Sequence, residues 1–235
     1  VSRATLAALV LALAATPLLA GDGEKAPAKD GAAKAAAAAK PAAKPAPRTP
    51  EQLAALRVAV LDGLANAEFK ARAEAGDLLV GAWPDSAPIL DEALSSKTAQ
   101  VRLEAVSLLR REELGDVRAR IRAKVTDSDE AVRRQAIRAG RHLKWPEFET
   151  DLMSVVKNDH SWSVRQEALR GLEDRGTLKC AYIVLTAMAS EEDAQRRKAY
   201  RRVLVVVVGE DHGEDAGAWT AAISDARAKA DAKKK

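Results

Sequence analysis

The chain has 235 residues, 47% of them hydrophobic but only 3% aromatic, and carries a net charge of +4. Alanine, leucine and valine supply the apolar count, which suits close-packed helices and leaves few large anchors for an antiparallel β core. The charge is uneven: Glu51 to Ala226 holds 26 basic against 30 acidic residues, so the basicity lies in the flanks and is weak evidence for a nucleic-acid-binding body.

Leu6 to Ala20 reads LAALVLALAATPLLA after a lone charge at Arg3. That is the length of a secretory h-region and too short for a spanning helix of about 20 apolar residues. Residues 1–20 are therefore expected to be a signal peptide, cut after Ala20, which implies a periplasmic or secreted protein with no other transmembrane segment. Residues 21–50 are almost entirely Ala, Lys and Pro. Pro41, Pro45, Pro47 and Pro50 would break any helix, and no large apolar side chain offsets the entropy of ordering, so the segment reads as a disordered spacer.

From residue 51 to 208 one pattern recurs: an apolar residue, a basic residue, two variable residues, then alanine. It is met at Phe69-Lys70, Val101-Arg102, Val132-Arg133 and Val164-Arg165, and more loosely at Gln195-Arg196. Three residues before each apolar position stand Asn66, Thr98, Asp129, Ser161 and Glu192, mostly helix N-cap types. Trp83-Pro84 and Trp145-Pro146 lie two periods apart. Each period thus predicts a helix, a capped turn, a second helix and a break. Val132, Ala136, Ala139 and Leu143 share one face of a second helix. Phe148, Leu152, Val155 and Val156 share one face of a first helix. A single such pair cannot bury its apolar face, whereas stacked neighbours can.

The segments Asp127-Ser128-Asp129-Glu130-Ala131-Val132-Arg133 with Ala136, and Asp159-His160-Ser161-Trp162-Ser163-Val164-Arg165 with Ala168-Leu169, resemble the short bacterial HEAT-like repeats. The resemblance implies an all-α, right-handed α-solenoid of about five helix pairs, armadillo-like in architecture. The acidic run Gly209 to Asp215 and the helix bearing Trp219 look like a closing segment, placing a cap at 209–226 and a basic tail at 227–235. Val203 to Val208 is expected to be buried beneath that cap.

Little points to chemistry. His142, His160 and His212 lack metal-ligand spacing, and the acidic loop around His212 lacks EF-hand order. No phosphate loop, nucleophile elbow or Cys-His pair is present, so no catalytic residue, metal or cofactor is assigned and the chain reads as a non-enzyme. Cys180, the lone cysteine, reads as a buried packing residue.

In the resembled family the recurring basic residue pairs with an acid in an inter-helix turn. That gives a structural role to the ladder Lys70, Arg102, Arg133, Arg165 and Arg196, with Asp127, Asp129, Asp159 and Asp193 as partners. A second stripe joins Arg134, Arg138 and Arg141 to Gln166 and Arg170, and then to Arg197 and Arg201. The resemblance puts second helices on the inner, concave surface, where stacked arginines would form an electropositive groove. The expected function is a protein-interaction scaffold whose groove receives an acidic partner. Nucleic acid or another polyanion is the alternative, and export argues against it.

Overall fold

Thr49 opens the first helix with a reciprocal cap: the Gln52 N–H donates to Thr49 Oγ1 at 3.3 Å, and the Thr49 N–H donates to Gln52 Oε1 at 2.9 Å. Pro50 follows at the first helical position, where its missing N–H costs nothing. The structure is a computed structural model that describes residues 47–143 and 145–233. The expected signal segment, residues 21–46 of the spacer, and the last two lysines of the tail lie outside the described residues.

Eleven α-helices and no strand occur among the described residues. In chain order they are α1 (Pro50–Leu64), α2 (Phe69–Gly81), α3 (Ala87–Leu94), α4 (Ala99–Leu108), α5 (Arg118–Lys124), α6 (Glu130–His142), α7 (Phe148–Asn158), α8 (Trp162–Arg175), α9 (Ala181–Ala189), α10 (Ala194–Val208) and α11 (Ala216–Ala232). A 3₁₀ turn, Glu112–Leu114, precedes α5. None of these helices is long and apolar enough to cross a membrane.

The chain divides into two units after Ala59. The described part of the first is the start of α1. In the second, helices pack within pairs, α3 on α4, α5 on α6, α7 on α8 and α9 on α10. The second helices also pack in succession, α2 on α4, α4 on α6, α6 on α8 and α8 on α10, while α7 meets α9 and α9 meets α11. This is the contact pattern of an α-solenoid, in which each pair hides the apolar face of the next. Most expected core positions are filled: Val132, Ala136, Ala139, Val164, Ala168 and Leu172 are fully buried, as are Phe148 and Val156, while Leu143, just past the end of α6, is only half-buried. Cys180 is buried too, and burial pushes its thiol up to about 12, with Glu149 adding to the effect.

The turns carry a ladder that locks successive pairs. Two residues before each second helix's N-cap stand Asn66, Ser96, Asp127, Asp159 and Glu191. Each side-chain oxygen accepts the N–H of the cap residue, at 2.9 to 3.3 Å. Four residues after the cap an arginine turns back. Arg72, Arg102, Arg133, Arg165 and Arg197 each give Nη1 to two carbonyls of their own turn. The other edge of the guanidinium reaches the next repeat: Arg102 bonds Asp127, Arg133 bonds Asp159 at 2.8 and 3.0 Å, and Arg165 bonds Glu191 at 3.2 Å. Arg72 bonds Glu104, and Arg197 pairs with Glu214. Asp159 therefore serves two guanidinium groups and its own turn at once. Burial pushes the Asp127 carboxyl up, but Arg102, the Asp129 N–H and Lys124 outweigh it and hold it below the usual carboxylate range.

Two rungs differ from the expectation. Lys70 and Arg196 are not in the ladder; Arg72 and Arg197 take their places. The reason is the caps, which are Glu68 and Asp193 rather than Asn66 and Glu192. Lys70 points into solvent beside Glu74, and Phe69 is 77% exposed instead of buried. Arg196 lies against the Trp162 ring, near Glu191 and Asp193. Asp129 and Asp193 cap their own helices and take no arginine from the preceding repeat.

Replacing Asp159 by Ala is expected to lower unfolding free energy by about 2–3 kcal/mol, because Arg133 is left partly buried without its carboxylate. Lys70→Ala should stay within about 0.5 kcal/mol in the same urea titration. Gly140 on α6 supplies a second check. A Cβ there would meet the Phe148 ring at 2.2 to 2.7 Å, and that ring is held against Trp145. Gly140→Ala should thus destabilise by about 1–3 kcal/mol despite the better helix propensity of alanine, as a thermal melt would register.

Candidate functional site

The face presented by α6, α8 and α10 is set by their N-caps, Asp129, Ser161 and Asp193. Counting from those caps, the fifth residues are Arg134, Gln166 and Lys198, and the ninth are Arg138, Arg170 and Arg202. The ninth-residue side chains are similarly open, 46%, 48% and 54% exposed. In α2 and α4 the same position holds Asp77 and Ser107, so the cationic row begins at α6.

At the centre of the row lies Glu167, a carboxylate only 3% exposed and ringed by three arginines. Oε2 accepts Nε of Arg138 and Nη1 of Arg170, each at 3.2 Å, and Oε1 accepts Nη1 of Arg141. Arg141 continues to Asp174, donating from Nη2 at 2.7 Å. Its stem crosses α8 at Gly171, where a Cβ would stand 3.2 Å from two of its carbons. Burial pulls the Arg141 guanidinium down, yet Asp174 and Glu167 more than offset this and leave its pKa raised. Arg141 is therefore a fixed internal strut. Arg138 and Arg170 share one oxygen, keep half their surface open, and hold more positive charge than Glu167 can neutralise.

Five of the seven stripe residues read from the sequence, Arg134, Arg138, Arg141, Gln166 and Arg170, are on α6 and α8, and three of them, Arg138, Arg141 and Arg170, bind this carboxylate. Arg134 and Gln166 are partly exposed. Arg197 and Arg201 are elsewhere. Arg197 is a rung of the turn ladder, and Arg201 bonds both oxygens of Asp211 in the loop before α11. Arg202, one residue on, occupies the row and pairs loosely with Glu173 at 3.6 Å. The same one-residue shift that displaced Arg196 hid Arg202. Counting from Asp193 as the cap would have found it.

The acidic loop before α11 is a clamp. Asp211 binds Arg201 and the Gly213 N–H, Glu214 pairs with Arg197, and Asp215 caps α11 at the Ala218 N–H. Trp219 is fully buried, gives its indole N–H to the Gly213 carbonyl and meets His212 edge-on. The cap helix runs to Ala232, past the boundary expected at 226, and Arg227 lies over Tyr182 while donating to the Leu178 carbonyl. Val203 to Val208 is not wholly covered: Val203 and Leu204 are buried, but Val206 is 55% exposed, because six consecutive helical residues cannot share one face.

Two further clefts of about 440 Å³ each open between successive first helices, one repeat apart. Ladder residues line both, Asp127, Arg133 and Asp159 in one and Asp159, Arg165 and Glu191 in the other, and these already satisfy one another; the first also holds the Arg122–Asp151 pair and the second Lys157.

Residues 117–204, from the cap of α5 into α10, match a family model described as HEAT repeats. This stretch is a run of HEAT repeats. HEAT repeats generally mediate protein–protein contacts, and the matched stretch contains the whole arginine row. No curated protein matches the chain. Among solved structures, the crystal structure of an engineered protein is similar over 65% of this chain and 79% of its own, at 17% identity and a TM-score of 0.40.

The clamp has a pH signature. Arg201, then the Gly213 N–H, hold the Asp211 carboxyl down at about 2, against an ordinary 3.8. A lowered folded-state pKa contributes stability above the unfolded value, and this is lost as pH falls through about 2. Asp211→Asn should therefore melt below the native chain at neutral pH, and the gap between the two should close between pH 3.8 and about 2.

Proposed function

We propose that this protein is an exported, non-enzymatic interaction scaffold that holds an acidic segment of a partner protein on the face formed by α6, α8 and α10. The observation that carries this reading is the row Arg138, Arg170 and Arg202, one half-exposed arginine per repeat. Two of these share the single buried carboxylate of Glu167. Glu167 fixes their guanidinium groups in advance, so less side-chain freedom is lost when an anion binds. Arginine suits the task because its planar fork meets a carboxylate with two parallel hydrogen bonds. Export is supported by the apolar run Leu6 to Ala20 and the Ala/Lys/Pro-rich spacer after it.

The test uses the full chain and a fluorescent polyglutamate peptide, with affinity measured by anisotropy at low and moderate salt. The triple variant R138S/R170S/R202S should bind at least about tenfold more weakly, each lost charge-assisted bond being worth about 1.5–3 kcal/mol before water and salt reduce it. A control, K70S/K97S/K179S, removes the same charge from elsewhere and should bind like the native chain. Equal losses in both variants, or no binding by the native chain, would reject the acidic partner. Export is checked by cell fractionation, where recovery from the cytosol alone rejects it.

A further inference from the structure

The cationic row ends in an opening that differs in character from the rest of the face. At the thirteenth residue after the cap, α6 carries His142 and α8 carries Asp174, whereas α10 carries Val206; at the twelfth, Arg141 and Glu173 give way to Val205. Repeat order is thus broken in one direction, polar to aliphatic, at the end of α10. Val206 is one of only three large hydrophobic side chains exposed among the described residues, 55% open to solvent. It floors, with Val205, a cleft of about 510 Å³ whose rim includes Lys198, Arg201 and Arg202. The rim is more cationic than its carboxylates can balance. Asp211 is spent on Arg201, Arg202 has among the described residues only the long contact to Glu173, and Lys198 donates to the uncharged amide of Gln195. No residue of helix α11 lines the cleft.

We infer that this cleft is an anchor subsite for one aliphatic side chain of the partner segment, flanked in the partner's sequence by carboxylates. The inference rests on the acidic-partner reading and goes beyond it by naming what the segment must carry besides charge. Charge complementarity selects the occupant: a side chain seated on Val205 and Val206 brings its neighbours against Lys198 and Arg202, where an acid gains a cation and a base meets one. Arg202 belongs to both the row and the rim, so one continuous segment can engage Arg138 and Arg170 and place its apolar residue here. An aliphatic anchor inside an electropositive surface also separates this site from one for a uniformly charged polyanion, which has nothing to bury.

Two synthetic acidic peptides of equal length and charge, one with a central leucine and one with serine, test the subsite by isothermal titration on the full chain. The leucine peptide should bind about tenfold more tightly, the expected return for partial burial of one aliphatic side chain. In Val206→Ser, a neutral change at an exposed helical position, this preference should vanish while affinity for the serine peptide is kept. Equal affinities on the native chain, or a preference that survives in Val206→Ser, overturn the subsite and leave the acidic-partner reading standing. Binding of neither peptide overturns both. Self-association of the native chain that disappears in Val206→Ser would assign the cleft to a second copy and overturn the inference.

Discussion

The fold depends on one repeated interaction, the arginine that bonds its own turn with one edge and, with the other, a carboxylate of the next repeat or of the cap. A lysine could not do this. Its ammonium is a single point, whereas the guanidinium presents donors on two sides in a rigid plane. Each acidic turn residue is equally divided: its backbone carbonyl binds the arginine of its own repeat, its carboxylate binds the arginine before it, and the same carboxylate steadies the cap. Apolar stacking between helix pairs is strong but non-directional. The ladder supplies direction, fixing how far each pair is advanced and rotated on the last.

That fixed register turns a repeated sequence into an ordered surface. Because every second helix starts at the same height relative to its neighbour, residues at equal distance from the cap fall in rows. One row is committed to structure and another is open. Arg133 and Arg138 differ by five positions and have the same chemistry, yet the first is mostly buried between two turns and the second is half in solvent. Glu167 orders the open row: its buried carboxylate binds three arginines, leaving Arg138 and Arg170 half in solvent while Arg141 continues to Asp174. The local excess of positive charge arises inside a body that is acidic as a whole.

The C-terminal cap shows the same economy of parts. A solenoid must cover its last apolar face. Here the acidic loop takes Arg197 and Arg201, the two arginines that the last repeat would otherwise direct to a following turn or leave on the surface. Gly209, in the left-handed region at φ +97°, ends α10 and lets the loop turn back at once. Trp219 and Ile223 then fill the end of the core.

The sequence by itself determined the helical pairs, their number, and most of the residues buried between them, though not at Phe69 or Val206, because periodicity and composition are local properties that stacking amplifies. It also determined that an arginine would recur in each turn, and in the three middle repeats it named the right one. It did not determine the register of the first and last repeats, where Lys70 and Arg72, or Arg196 and Arg197, are equally basic on paper. Only the tertiary structure decided between them, because the choice belongs to the cap residue and to the carboxylate waiting one repeat away. The same holds for the site. A list of arginines cannot separate those whose charge is spent on Asp159, Asp174 or Asp211 from those left open beside Glu167, since that distinction exists only once residues roughly thirty positions apart have been brought within hydrogen-bonding distance.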